Sequence, residues 1–195
     1  TSACYVSVDG GGRYVLVANY SSGTVAALPI QGGGALGEAS DVVQHQGSGA
    51  DPQRQDGPHA HCIVPDPGGQ FILSCDLGAD RVMVYRLDTD AGQLLPATTP
   101  SVRLAPGSGP RHVAFHPNGR WAYVINELGN TMTAFTYDPD LGLLTEIGTV
   151  STLPEGYTET SYCADVHVAP SGRYVYGSNR GHDSIVTLRV DEATG

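Results

Sequence analysis

Short segments of alternating hydrophobic and polar residues recur along the chain, and one pattern of about 23 residues occurs four times. Each copy contains an alternating segment, a turn glycine, an aromatic residue two positions later, and Asn or Asp seven positions after the glycine. The copies run from Cys4 to Val25, His61 to Val82, Arg111 to Met132, and Ala164 to Ile185. Their glycines, Gly12, Gly69, Gly119 and Gly172, are separated by 57, 50 and 53 residues. Strand patterns repeated at roughly 40 to 50 residues are typical of β-propeller blades.

The residue types of the repeat favour strands. Val113, Phe115 and Tyr123 are β-branched or aromatic, and the segment from His116 to Gly119 supplies turn residues between them. No long stretch has helical periodicity, so the sequence predicts an all-β fold of four-stranded antiparallel blades. Third strands are predicted at Thr24–Pro29, Arg81–Leu87, Thr131–Tyr137 and Ser184–Val190, with weaker fourth strands at Leu144–Val150 and Ser101–Leu104.

The repeats indicate a single β-propeller domain over residues 1–195, with units near 4–50, 61–104, 111–150 and 164–195. The fourth unit stops at its third predicted strand. An open arc of blades would leave apolar sheet faces uncovered, which repeat proteins normally avoid. We therefore expect the chain to be an internal piece of a longer propeller, and one that would be partly ordered or aggregate by itself.

Composition narrows the possible partners. The chain has 20 acidic residues against 10 basic ones, all arginine, and a net charge of −10. An acidic body without a basic stripe argues against nucleic acid, and no apolar run approaches the roughly 18 residues of a membrane span. The spacing of Cys4, Cys62, Cys75 and Cys163 matches no zinc motif, so no metal site is predicted. Reduced thiols and a cytoplasmic location are the favoured interpretation, although a Cys62–Cys75 disulfide across a hairpin stays open.

The repeat also predicts a site. Residues eight positions before and eight positions after each turn glycine lie at the same end of a hairpin, because its two strands are antiparallel. His61 and Arg111 occupy the first of these positions, and Glu127 and Arg180 occupy the second. If the first strand of each blade is innermost, these four residues cluster at one mouth of the central channel. Charged groups supplied by successive blades to one rim predict a small-molecule site, and its arginines favour an anion.

These residue types suit hydrolysis of a lactone, which needs an activated water, an oxyanion stabiliser and a proton donor. Glu127 is the candidate base, and His61 or His59 can exchange the proton. Arg111 and Arg180 can bind an oxyanion, a phosphate or a carboxylate. Nearby arginines would lower the pKa of Glu127 and weaken it as a base. Structural alternatives stay open: Glu127 could only orient Arg111, Arg180 could bind loop carbonyls, and the histidines could be solvated. The polar stretch Gln44–Gln55 could overhang the mouth.

The segment from Gly109 to Leu128, which contains Gly-Pro-Arg-His and Asn-Glu-Leu, resembles the lactonase family of seven-bladed propellers. The segments Gly57–His61, Tyr14–Tyr20, Ser151–Gly156 and Ser178–Ser184 match as well. The resemblance covers essentially the whole chain and implies about four blades of seven. It also implies a cofactor-free enzyme whose site uses His59 or His61, Arg111 and Glu127. Arg180 is the candidate for a second substrate-binding arginine, and His182 is a further substrate-binding candidate.

The activity that the resemblance implies is hydrolysis of a small anionic sugar lactone, with 6-phosphogluconolactone of the pentose phosphate pathway as the expected substrate. Two alternatives remain. The same mouth could serve a lactonizing or other lactone-processing enzyme that acts on a different acid. The chain could also belong to a non-catalytic propeller that binds a partner, because fold alone does not fix function. The sequence gives no indication of oligomeric state.

Overall fold

The structure, a computed structural model, describes residues 2–195, and these residues form fifteen β-strands and no helix. In chain order the strands are β1 (Ala3–Val8), β2 (Tyr14–Asn19), β3 (Thr24–Pro29), β4 (Asp41–Gln44), β5 (Val64–Pro65), β6 (Phe71–Asp76), β7 (Arg81–Asp88), β8 (Gln93–Arg103), β9 (Pro110–Phe115), β10 (Trp121–Asn126), β11 (Thr131–Asp138), β12 (Leu143–Ser151), β13 (Tyr162–Val168), β14 (Tyr174–Arg180) and β15 (Ser184–Arg189).

The strands form four sheets in sequence order: β1–β4, β5–β8, β9–β12, and the three-stranded β13–β15. Every strand pair is antiparallel. The first strands of neighbouring sheets contact each other, β1 with β5 and β9 with β13, so the first strand of each sheet is innermost. The predicted all-β architecture of propeller blades is confirmed.

Three hydrophobic cores lie between successive sheets. Leu16, Val25 and Ile72 belong to the core between the first and second sheets. Phe71 and Phe135 belong to the core between the second and third, and the third and fourth sheets share a core of their own. Each sheet between two neighbours therefore buries both faces, which explains why every residue of β6 and of β10 is buried.

Two turn positions in each repeat adopt positive φ angles. The turn glycines between the first and second strands have φ of 67° to 73°. Eleven residues later, Gly23, Asp80, Asn130 and Asp183 have φ of 62°, 52°, 48° and 52° in the turn that leads to the third strand. This conformation is accessible to glycine and tolerated by Asn and Asp, which explains the residues found there.

The outer strands were predicted less well than the inner ones. The sequence interpretation missed β4, placed only the end of β8, and began the first strand of the second sheet at His61, whereas β5 is Val64–Pro65. His61 nevertheless lies in hydrogen-bonding contact with β6, since its amide donates to Cys75 O at 2.8 Å. All four cysteines are free thiols, and Cys62 and Cys75 are buried.

Candidate active site

The candidate site is centred on Glu127, which follows directly after β10. Its amide donates to Gly109 O at 2.8 Å, and its carbonyl accepts a hydrogen bond from Cys163 N at 3.2 Å. The residue before it, Asn126, is fully buried and donates to the hydroxyl groups of Thr131 and Thr133 at 2.9 Å. These contacts fix the backbone of Glu127 between the third and fourth sheets, and its carboxylate is 6% exposed.

Three arginines converge on that carboxylate. Arg111 Nε donates to Oε2 at 2.9 Å, and Arg180 Nη2 lies 2.8 Å from the same oxygen. Arg54 Nη2 donates to Oε1 at 2.6 Å. Arg111 is in the first strand of its sheet and Arg180 ends β14, so the antiparallel geometry of the repeat brings their side chains to one end of the inner strands.

The charges within this cluster are unequal. Three guanidinium groups surround one carboxylate, which leaves an excess of two positive charges in a chain of net charge −10. Burial favours the neutral form of Glu127, but the hydrogen bond from Arg54 and the charges of Arg180 and Arg111 outweigh it and lower its pKa. Glu127 is therefore an anion at neutral pH. The positive excess makes the cluster suited to bind an anion.

His61 lies beside the cluster, with Nε2 4.0 Å from Glu127 Oε2. Its side chain is 10% exposed, and its Nδ1 has no hydrogen-bond partner among the described residues. Burial and the neighbouring charge of Arg111 lower its pKa to about 4. His61 is consequently a neutral imidazole near pH 7, which is the form that can accept a proton.

A further pair of residues orients Arg111. His112 Nδ1 lies 2.8 Å from Asp165 Oδ1, and Arg111 Nη1 donates to His112 Nε2 at 3.3 Å. Burial lowers the pKa of His112, against the opposing effect of Asp165, so the ring is neutral and can accept from Arg111. Arg111 Nη1 also donates to Ala164 O at 2.5 Å. Neither His112 nor Asp165 is predicted from the sequence as a site residue, although His112 lies in the segment from Gly109 to Leu128 that resembles the family.

Arg54 contacts Glu127 directly and was not predicted from the sequence as a site residue. It lies in the stretch Gln44–Gln55, which was expected only to overhang the mouth. The next residue, Gln55, is buried and donates to Leu77 O at 2.8 Å and to Asp80 Oδ1 at 2.7 Å, so the loop is anchored to the second sheet. Arg54 lies over the ring of Tyr162, 5.4 Å from its centroid. Contact with Tyr20 and the hydrogen bond to Glu127 raise its pKa, and it stays charged.

Two candidates make their contacts elsewhere. His59 stacks on Tyr20 with ring centroids 4.4 Å apart, and its Nδ1 lies 3.0 Å from Tyr20 O. His182 Nδ1 lies 2.6 Å from Ser184 Oγ, and its ring packs edge-on against Tyr157. Among the contacts of residues 2–195, neither histidine reaches Glu127. His59 borders the site through Tyr20, whereas the contacts of His182 do not connect it to the cluster.

Within the described part of the chain, no group of three or more His, Cys, Asp or Glu side chains is arranged to hold a metal ion. No helix there is long and apolar enough to cross a membrane.

The fold and the site together define a β-propeller with an arginine-rich cluster at one end of its inner strands. The chain belongs to the family described as the lactonase, 7-bladed beta-propeller family, whose match covers residues 1–195. A 6-phosphogluconolactonase of Bacillus subtilis is 41% identical over 194 residues, which are 100% of this chain and 54% of that protein. The chain thus spans about half the length of the curated relatives it matches.

Solved structures agree with this assignment. A Lactobacillus plantarum protein is 35% identical with a TM-score of 0.93, over 99% of this chain and 55% of that chain. A periplasmic gluconolactonase of Pseudomonas aeruginosa is 38% identical with a TM-score of 0.91, over 98% of this chain and 54% of that chain.

Proposed function

We propose that the protein to which this chain belongs hydrolyses 6-phosphogluconolactone to 6-phosphogluconate, a step of the pentose phosphate pathway. The observation that carries the proposal is the convergence of Arg54, Arg111 and Arg180 on the buried carboxylate of Glu127. The family membership and the B. subtilis relative named 6-phosphogluconolactonase support it.

The substrate offers two groups that guanidinium ions can bind. Its phosphate is an anion, and its lactone carbonyl becomes an oxyanion when water attacks. Arg180 has the most exposed of the three guanidinium side chains, at 52%, and Arg54 follows at 34%. These two arginines are suited to meet the incoming phosphate. Arg111 is more enclosed, at 17%, and is suited to stabilise the developing oxyanion.

Glu127 acts in this proposal as a positioning residue. Each of its oxygens already accepts a hydrogen bond from arginine, and its lowered pKa makes it a weak base. Without its charge, three guanidinium groups would repel one another within one buried site. The carboxylate therefore holds the arginines in the geometry that binds the anion.

His61 accepts the proton of the attacking water. Arg111 contributes to the low pKa of His61 in the free protein. Binding of a phosphate dianion offsets that positive charge, so the pKa of His61 rises when substrate is present and its basicity increases. The protonated imidazole can then return the proton to the leaving alkoxide, which completes ring opening.

The test is hydrolysis of freshly prepared 6-phosphogluconolactone by the full-length protein, with spontaneous opening subtracted. We expect Glu127→Gln to lower kcat/KM by about 100-fold, the scale on which loss of an electrostatic contact at an oxyanion acts. Glu38→Gln is the matched control, because Glu38 is an exposed glutamate outside the site. Absence of turnover by the folded parent would reject the proposed activity, and full activity of Glu127→Gln would reject the proposed site.

Hydrolysis of gluconolactone is the second candidate, because the P. aeruginosa relative is named a gluconolactonase. The two substrates differ by the phosphate alone. If the arginines bind that phosphate, kcat/KM for gluconolactone is expected to be lower by at least about tenfold. Equal values for the two lactones would favour an unphosphorylated substrate.

We further propose a cytoplasmic location and a seven-bladed ring to which this chain contributes four blades. The four free cysteines suit a reducing compartment. The family description gives seven blades, and the four consecutive sheets of this chain support a share of four. Cell fractionation and a structure of the full-length protein test the two points.

A further inference from the structure

A second cavity, distinct from the Glu127 cluster, lies between the first and second sheets. Its volume is about 600 Å³, a size that can admit a small metabolite. Arg81, Met83 and Tyr85 line one wall, and because they alternate along β7 their side chains project from the same face of that strand. Val43 and His45 line the opposite wall, at the end of β4.

Two arginines in this cavity lie on one face of the second sheet, and Asp76, the register partner of Arg81 on β6, contacts His45 instead of either arginine. Arg81 and Arg103 are register partners on β7 and β8, and both line the cavity. Like charges directly opposite each other on neighbouring strands are destabilising. Arg81 Nη1 donates to Ser101 Oγ at 2.8 Å, and within residues 2–195 neither arginine forms an ion pair. An anion between them would remove the repulsion.

Two residues of the cavity lining carry buried polar atoms without hydrogen-bond partners. His45 and Tyr85 are 2% and 3% exposed, and His45 Nε2 and the Tyr85 hydroxyl have no partner among the described residues. His45 Nδ1 lies 2.6 Å from Asp76 Oδ2, so the carboxylate accepts a hydrogen bond from Nδ1–H, which fixes the ring. A buried polar group without a partner costs about 1–3 kcal/mol. A hydroxyl group of a ligand can satisfy His45 Nε2 in either protonation state, and it can exchange a hydrogen bond with Tyr85 as well.

The contact between His45 and Asp76 has a counterpart between Thr152 and Asn179, but threonine has no ring nitrogen that could be left without a partner. Asp76 occupies the position of Asn179 in the repeat, and Asn179 accepts a hydrogen bond from Thr152 Oγ1 at 2.8 Å. Both contacts tie the segment after one blade to the next blade. Threonine would be sufficient for that structural purpose, whereas His45, which follows β4 of the first sheet, adds a ring nitrogen beside the cavity.

We propose that this cavity is a binding site for a small hydroxylated anion, with its phosphate or carboxylate between Arg81 and Arg103 and its hydroxyl groups on His45 and Tyr85. The charge of the two arginines selects the anionic end of the ligand. His45 and Tyr85 select a hydroxylated body over a purely apolar one.

The experiment is a titration of the full-length protein, labelled with ¹⁵N in its histidines, with glycerol 3-phosphate. We expect a saturable shift of the His45 ring resonances. Arg103→Gln and Arg81→Gln should each raise the dissociation constant reported by His45 about tenfold, the loss of one charge-assisted contact. Tyr85→Phe should raise it a few-fold, and glycerol, which lacks the anion, should bind at least about tenfold more weakly than glycerol 3-phosphate.

Arg173→Gln removes the same charge from an exposed position outside the cavity and should leave the dissociation constant unchanged. Arg103 is exposed, so thermal unfolding is expected to show an intact fold after its substitution, with a midpoint equal to or above that of the parent. Three results would overturn the proposal: no saturable change at His45, an unchanged constant in both arginine variants, or shifts confined to His61 and His112 of the other site.

Discussion

At Glu127 a single carboxylate forms ion pairs with three guanidinium groups, and His61 lies close to it without a hydrogen bond. Burial and the charge of Arg111 lower the pKa of His61, which keeps the imidazole neutral. Burial raises the pKa of Glu127, but the hydrogen bond from Arg54 and the charges of Arg180 and Arg111 lower it by more, which keeps the carboxylate charged. Glu127 is thus suited to hold the arginines in place, and His61 is suited to accept a proton.

The lowered pKa of His61 gives a stability prediction. Its pKa is about 4 in the folded protein against an ordinary value of 6.5, so the unfolded chain binds more protons between these values. Stability should therefore fall as pH decreases from 6.5 towards 4, and this one group accounts for up to about 3 kcal/mol of the loss. Urea unfolding of the parent and of His61→Gln across this range measures the slope. The variant should lose less stability, and equal slopes would contradict the assignment.

The pH dependence of activity should also follow the protonation of His61. In the free protein His61 stays neutral down to about pH 4, so kcat/KM, corrected for protonation of the substrate phosphate at about pH 6, should hold to about pH 4 before it declines. With the anionic substrate bound the pKa of His61 is higher, and kcat should decline at a higher pH than kcat/KM. Coincident acid limbs for the two parameters would show that substrate binding does not raise the pKa of His61.

Substitution of Arg54 tests whether its loop contributes to substrate binding. Arg54→Gln removes the hydrogen bond to Glu127 Oε1 and one of the charges that meet the anion. We expect kcat/KM to fall by about 10- to 100-fold, mainly through KM, while the fold is retained because the side chain is 34% exposed. Steady-state kinetics beside Arg120→Gln, an exposed arginine outside the site, measures the effect. Unchanged KM would remove Arg54 from substrate binding.

The turn between β6 and β7 connects the elements that carry the site arginines. Asp80 is 2% exposed and has a φ of 52°. Its carboxylate accepts hydrogen bonds from Gln55 Nε2 at 2.7 Å and from the amides of Gly107 and Gly109 at 2.8 Å. One side chain therefore anchors both the loop of Arg54 and the segment that leads into β9, the strand of Arg111.

Asp80→Ala should accordingly destabilise the fold much more than Asp183→Ala, the same substitution in the equivalent turn of the fourth sheet. Asp183 has the same φ of 52°, but it is exposed and accepts a hydrogen bond from Gly181 N alone among the described residues. Because both residues have the same φ, alanine should cost the same backbone strain at either position. The difference between the two losses in the free energy of unfolding therefore measures the buried hydrogen bonds of Asp80. We expect Asp80→Ala to lower the free energy of unfolding by about 3 kcal/mol more than Asp183→Ala. Equal losses would show that the backbone conformation alone matters.

The elements also explain what the sequence could and could not predict. His61, Arg111, Glu127 and Arg180 occupy repeat positions, and antiparallel pairing about a turn glycine places such positions together. Arg54 lies in a loop without an equivalent in the other repeats, so periodicity carries no information about it. The short outer strand β4 follows a glycine-rich segment and lacks the aromatic residues that mark the inner strands.

At the scale of the whole molecule, the first and fourth sheets each leave an apolar face without a neighbouring sheet in residues 2–195. Val6 and Val42 on the first sheet are 65% and 58% exposed, and Ile185 on the fourth is 64% exposed beside Tyr174 and Tyr176. The second and third sheets have no such faces, because cores cover both of their sides. In a propeller these two faces are the natural contacts of adjacent blades.

We therefore expect the isolated 195-residue chain to self-associate through these faces, since exposed apolar patches and sheet edges favour association. Sedimentation velocity over a range of concentrations measures it. Val6→Arg and Ile185→Arg should reduce association by placing a charge on each face. Leu141→Arg is the control, because Leu141 is 54% exposed in the turn before β12 and lies on neither face. A chain that stays monomeric at all concentrations would show that these faces do not drive association, and equal effects of all three substitutions would attribute association to net charge.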